Sequence, residues 1–221
     1  MKWKKKGLVY TPPKDESWKD NSALTPTAFL LDENTIRVYA SFRDKEGIGR
    51  IGYVDVDANN PSNIIKISDK TVLDIGKDGM FDDNGVILGD IIRVDNKIYM
   101  YYVGFQLVKK SKFLAYSGLA ISEDNGETFK RYKNTPIMDR EEEALYIRAI
   151  HSVIFEDNKF KFWYATGSGW ENINGVDYPQ YDISYIESDD GIHFEENGIK
   201  CIENDKNNLE YRIGRPRTYK K

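Results

Sequence analysis

Two adjacent carboxylates, Asp82 and Asp83, stand immediately before a glycine and an apolar run, Gly85 to Val94. At the head of a strand, such a group can hold a hydroxyl or exchange a proton with whatever is bound; as turn acids they would only bond the local chain. A second source of carboxylates is the run Glu141-Glu142-Glu143, readable as an acid or as a solvated face. Arg148 and His151 follow it within an apolar stretch. A buried cation needs an anion, and Asp83 supplies one if the two segments face a common axis; the alternative is a core histidine beside a surface arginine. Trp170, Tyr178 and Tyr181 lie on the long connection after a hairpin. Aromatic faces there could form a stacking platform for a bound molecule, with packing as the rival role. Glu210 and Arg215, further on, could complete a polar ring.

Other chemistries find no support. There is no Gly-x-Gly-x-x-Gly or Gly-Lys-Ser loop to cradle a phosphate, and two histidines with one cysteine offer no metal-ligand cluster. Gly167-Ser168-Gly169 lacks both the nucleophile-elbow pattern and a base partner. Cys201 reads as a buried apolar residue rather than a reactive thiol. No cofactor is expected.

The 221 residues are 40% hydrophobic and 31% charged, the make-up of a globular chain that can bury one sizeable core. Thirty-two basic against 36 acidic residues leave a charge of -4, so no chain-wide field recruits nucleic acid or an anionic membrane. One cysteine excludes an internal disulfide, and no apolar stretch in the first thirty residues suits a signal peptide or membrane helix. A cytoplasmic protein is therefore expected. Aromatic residues make up 13% of the chain, which favours pleated, half-buried surfaces.

A repeat organises these residues. Thr35 to Ser41, Ile98 to Gly104 and Lys161 to Gly167 each follow an Asp/Asn turn signal, and Ser41, Gly104 and Gly167 are 63 residues apart. Ile51 to Asp57, Ser117 to Ser122 and Asp182 to Ser188 follow in step, with Gly52, Gly118 and Ser184 spaced by 66. Each unit supplies about four short strands, as one propeller blade does. The expected units are blade 1 over about 20–75, blade 2 over about 81–138, blade 3 over about 145–203 and the start of a fourth over about 210–221, all in one domain, 1–221. A sandwich of hairpins is the alternative. One short helical turn is conceivable around Asp139 to Leu145. Ser122-x-Asp124-x-Gly126-x-Thr128-Phe129 fits the Asp-box pattern, a structural turn remote from any channel.

The runs Arg37 to Asp44, Gly49 to Asp57, Phe81-Asp-Asp-Asn-Gly-Val86, Tyr99 to Tyr102 and Gly118 to Ser122 resemble the five-bladed propellers of a glycoside hydrolase clan. The likeness continues through Tyr146 to Ala149, Phe162 to Tyr164, Gly169-Trp170, Tyr178 to Tyr181 and Gly214 to Pro216. It is nearest to bacterial members found beside polysaccharide-assembly genes and to the propeller of glucosamine inositolphosphorylceramide transferases. The resemblance implies an all-β fold, a five-bladed propeller that is incomplete here, holding about three blades plus the first strand of a fourth. It implies a carbohydrate ligand, glycoside hydrolase-like processing in polysaccharide or glycoconjugate metabolism, and possible completion of the propeller by a second chain. Hydrolysis needs two carboxyl groups about one glycosidic bond. By family position Asp83 is the candidate acid, with Arg43, Asp82, Arg148, His151, Trp170, Tyr181, Glu210 and Arg215 as candidate substrate-binding residues. Thr25 stands where hydrolases of the clan keep an aspartate, and a hydroxyl cannot replace that base. A non-catalytic recognition or scaffold module serving a glycosyltransferase, or an inactive fragment, are the competing expectations.

Overall fold

The computed structural model describes residues 5–195, 197–205 and 210–218, and every regular element among them is a β-strand. β1 (Asn21–Leu30), β2 (Thr35–Arg43), β3 (Gly49–Asp57) and β4 (Ile64–Ile67) form a four-stranded antiparallel meander. β5 (Val86–Val94), β6 (Lys97–Leu107), β7 (Phe113–Ser122) and the short β8 (Lys130–Arg131) form a second. β9 (Ile147–Glu156), β10 (Lys159–Ile173), β11 (Val176–Ser188) and β12 (Ile199–Ile202) form a third.

Turn chemistry sets these hairpins. Asp157 and Asn158, at φ 55° and 58°, close the two-residue loop between β9 and β10, and Asn174-Gly175, at 52° and 82°, closes that between β10 and β11. Asn, Asp and Gly tolerate the left-handed backbone that such twisted loops demand. The Asn174-Gly175 turn extends β10 to 15 residues and β11 to 13. Trp170 and Tyr178 therefore lie in a regular ladder, Trp170 opposite Pro179 and Tyr178 opposite Glu171, and not on an irregular connection. The conceivable helix around Asp139 is a tight turn in which Ala144 N–H donates to the Glu141 carbonyl at 3.0 Å, since a single helical turn does not repay its nucleation cost. Cys201 is exposed, because β12 is an edge strand with all four residues exposed.

β2, β6 and β10 begin at residues 35, 97 and 159, 62 apart each time. Side-chain equivalence follows this count and not 63, and in a period-two ladder one residue of phase exchanges the two faces. Tyr39 and Tyr101 are thereby equivalent. Tyr39 donates its hydroxyl to the Gly126 carbonyl, and Tyr101 donates to the Gly191 carbonyl, both at 2.9 Å, so the first meander is clasped to a turn of the second and the second to a turn of the third. One core fills the first interface, with Tyr39, Ile51 and Tyr53 against Leu88, Met100 and Tyr102. A second core places Tyr101 and Leu119 against Ile150, Phe160 and Phe162. The outer face of the first meander is covered by Tyr10 and Trp18, packed edge-on against Phe42.

The chain passes between meanders in a recurring manner. Ala115 and Tyr116 of β7 lie parallel to Ile147 and Arg148 of β9, and Tyr181 of β11 bridges in parallel to Arg212. Ile213 N–H then donates to the Tyr181 carbonyl at 3.0 Å. The segment from Glu210 to Thr218 thus starts beside the third meander as β9 starts beside the second.

Candidate functional site

The first strands of the three meanders, β1, β5 and β9, converge. A Cβ on Gly89 of β5 would lie 2.2 Å from the Ile150 carbonyl oxygen of β9, so these backbones touch only because position 89 is glycine. Each strand slips register at the same level: between Leu24 and Thr27, between Leu88 and Asp90, and at His151, between the pairs Tyr164–Ile150 and Trp163–Ser152; β1 slips a second time, between Asn21 and Ala23. Such a bulge re-aims the residue that follows it. Thr27, Asp90 and Ser152 consequently occupy equivalent places opposite Tyr39, Tyr101 and Trp163, and all three are buried. Asp90 accepts the Val153 N–H at 2.9 Å, tying β5 to β9.

The Arg215 guanidinium lies over this level. It donates to the Leu88 carbonyl at 3.1 Å and to the Pro26 carbonyl and Thr27 Oγ1 at 3.2 Å. Arg217 pairs with Asp90 at 2.8 Å, and Thr218 N–H donates to Ser152 Oγ at 3.0 Å. His151 is buried with no partner on Nδ1, and loss of hydration, together with the Arg215 charge, pushes its pKa down to about 3. The cation beside His151 is Arg215, and the carboxylate at this level is Asp90, paired with Arg217; Asp83 lies elsewhere.

Arg148 does not face Asp83. Its Nη1 donates to the Asp139 carbonyl at 2.9 Å, and its Nη2 lies 3.2 Å from Glu141 Oε2, an ion-pair distance without hydrogen-bond alignment. The turn carrying Glu141 folds back over the start of β9 and captures the arginine first. Asp82 is fully buried and held by Arg131 through Nε at 2.8 Å and Nη2 at 2.7 Å, a structural ion pair. Arg43 is exposed at the end of β2. Glu210 is exposed and accepts the Asp205 N–H at 2.9 Å; with Tyr181 it lines a polar pocket of about 100 Å³ that also includes Thr166, Gln180 and Asp182. Tyr178 packs against Tyr211, 5.7 Å between ring centres.

Asp83 sits at a different place, just before β5. Its Oδ2 accepts the Gly79 N–H at 2.9 Å, while Oδ1 is buried and has no partner. Next to it, Asn84 N–H donates to the Phe105 carbonyl at 3.0 Å. From Phe105 a row of rings crosses to the third meander: Phe105 to Phe113 at 5.3 Å, Phe113 to Trp170 at 5.0 Å, Trp170 to Tyr146 at 6.2 Å, each edge-on and each ring half-buried. Trp170 Nε1 has no partner. Thr25 of β1 holds a left-handed backbone, φ 51°, with its hydroxyl buried and unpaired. A β-branched residue in that conformation is strained, and such strain gathers at functional positions.

Phe105, Phe113 and Tyr146 were not among the residues singled out from sequence, because their spacing is local and their meeting depends on two hairpins lying side by side. Asp90 was equally hidden, although a lone carboxylate inside the apolar run Val86 to Ile92 is itself a signal of a paired, buried charge.

No protein-family model matches the chain. An uncharacterised protein of Mycobacterium tuberculosis, present in two strains, is 31% identical over 195 residues, 88% of this chain and 64% of the relative. The chain thus spans just under two thirds of these curated relatives. A family 117 glycoside hydrolase from Zobellia galactanivorans superposes with a TM-score of 0.60 at 18% identity, over 91% of this chain and 52% of that one. The family 32 β-fructofuranosidase of Bombyx mori gives 0.61 at 14%, over 86% and 37%, and a glycosyl hydrolase of Bacteroides ovatus gives 0.57 at 15%, over 89% and 59%. At these identities the likeness is one of fold, and the fold is a glycoside hydrolase-like, all-β one.

Proposed function

We propose that this protein binds a carbohydrate on the row Phe105, Phe113, Trp170 and Tyr146, with Asp83 as the carboxylate that meets its hydroxyls. The observation that carries this reading is a row of four half-buried rings in which Trp170 Nε1 has no protein partner, with the unpartnered Asp83 Oδ1 one residue before Asn84, whose N–H bonds the Phe105 carbonyl. Rings of this kind offer stacking surface to a pyranose or furanose, and an unpaired buried acceptor is costly until a ligand bonds it. Recognition without turnover is favoured over hydrolysis by Thr25, whose hydroxyl cannot act as a general base where a second carboxylate would be needed. Arg43 and His151 have secondary places in this reading, and Glu210 and Tyr181 line a separate polar pocket.

The finer architecture we propose is a five-bladed propeller of which this chain supplies three blades and the first strand of a fourth, acting in cytoplasmic polysaccharide or glycoconjugate metabolism. The third meander supports it: Trp163, equivalent to Tyr39 and Tyr101, is half-buried against Tyr185, 5.1 Å between ring centres, and among the described residues it clasps no turn. A further meander fits that face. The test of function is a glycan and aryl-glycoside panel. Binding is expected without turnover, and Trp170→Ala should weaken it at least about tenfold, the loss of one ring's stacking. Asp83→Asn should weaken it by a similar factor. Turnover abolished by Asp83→Asn would instead establish a glycosidase, and unchanged binding in both variants would remove the site.

A further inference from the structure

A single extended segment touches the first strand of every meander. Arg215 reaches β1 and β5, Arg217 reaches Asp90 of β5, and Thr218 reaches Ser152 of β9. The three side chains that it meets, Thr27, Asp90 and Ser152, are equivalent by pairing, buried, and each placed by a bulge. A tail lying on a surface by chance would not find one partner per repeat at one level.

We infer that Arg212 to Thr218 is an axial latch that reads this ring of Thr27, Asp90 and Ser152 and fixes the mutual register of the three meanders. The chemistry is specific. A planar guanidinium can bond carbonyls of two different strands at once, which an ammonium does less well. Asp90 is buried to 4% exposure and needs a cation, and Arg217 reaches it from a half-exposed position, so the ion pair is made at the rim of the axis. Arg215 itself holds a left-handed backbone, φ 56°, a conformation that persists only where surrounding contacts impose it. Loss of Arg217 leaves Asp90 as a buried charge without a cation, held only by the Ile91 and Val153 N–H groups, so release of the segment is felt by both inner strands. The latch also spends three of the five N–H donors of Arg215 on protein.

Hydrogen exchange of the full chain tests this, comparing wild type with Asp90→Asn, Arg217→Gln and Arg217→Lys. In wild type the Thr218 amide is protected. Arg217→Gln should speed its exchange at least about tenfold and, with it, exchange of the Leu88 and Val153 amides on the inner strands, while the turn at Gly191 stays protected. Arg217→Lys, which keeps the charge, should retain most of the protection. Asp90→Asn should release the same segment; if that variant fails to fold, Arg217→Gln and Thr27→Val report from the other partners. A Thr218 amide that exchanges freely in wild type overturns the latch. So does a released segment that leaves Leu88 and Val153 as protected as before, because it would then be a passive tail.

Discussion

Burial withholds water from the His151 imidazole and Arg215 sets a positive charge beside it, so the folded protein resists its protonation down to about pH 3, whereas the unfolded chain takes the proton near 6.5. A depressed histidine stabilises the fold fully above the unfolded pKa and loses that contribution as pH falls through the window from 6.5 to 3. Between pH 7 and 5 the loss from this residue is about 2 kcal/mol. Urea unfolding at the two pH values should show it in wild type and not in His151→Gln; identical slopes in both proteins would contradict a neutral His151. Asp190 behaves differently. Burial would raise its pKa, but hydrogen bonds from the His193 side chain and the His193 and Ile192 amides hold it well below the usual carboxylate range. Its contribution is present above about pH 4 and is lost only as pH falls below that, so the loss from Asp190 begins near the acid end of the His151 window.

At the scale of strands, the clasps are testable one by one. Tyr101→Phe deletes the hydroxyl that bonds the Gly191 carbonyl and leaves that buried acceptor unpaired, which should lower stability by about 1 to 3 kcal/mol in chemical denaturation. Gly89→Ala should cost more than a typical surface change, about 1 to 3 kcal/mol, because its Cβ meets the Ile150 carbonyl at 2.2 Å and the inner strands must part. A neutral Gly89→Ala would mean that β5 and β9 do not touch. These elements explain what could be read beforehand. Hairpins were legible from Asp95, Asp157 and their neighbours, because turn residues act locally, and so was the recurrence of four-strand units. The phase was not, since Ser41 and Gly104 lie inside β2 and β6 one residue out of step with the equivalent pair Tyr39 and Tyr101, and the bulge at His151 carries no sequence signature. Asp83 and Trp170 were legible as candidates through residue type; the pairing of Arg148 was not, because the run Glu141 to Glu143 reads from sequence as an acid or a solvated face and gives no sign of the turn that brings Glu141 to the arginine.

Across the whole molecule, buried polar groups fix how the meanders meet. Arg37, 1% exposed, bonds Asp55 at 2.7 and 2.8 Å within the first meander and Glu127 of the second at 2.6 Å, with its guanidinium 3.6 Å from the centre of the Tyr53 ring. Arg37→Ala leaves Asp55 buried and uncompensated and should lower stability by about 3 to 5 kcal/mol, enough to threaten folding of the first interface. The aromatic row spans the other interface, so a ligand there would rest on two meanders at once and depend on their register. Crystallising the protein with a glycan selected from the binding panel would locate that ligand directly. Sugar density against Trp170 and Phe113, with a hydroxyl within hydrogen-bond reach of Asp83 Oδ1, is the result expected. A sugar bound tightly elsewhere, with the four rings and Asp83 bare, would contradict the account.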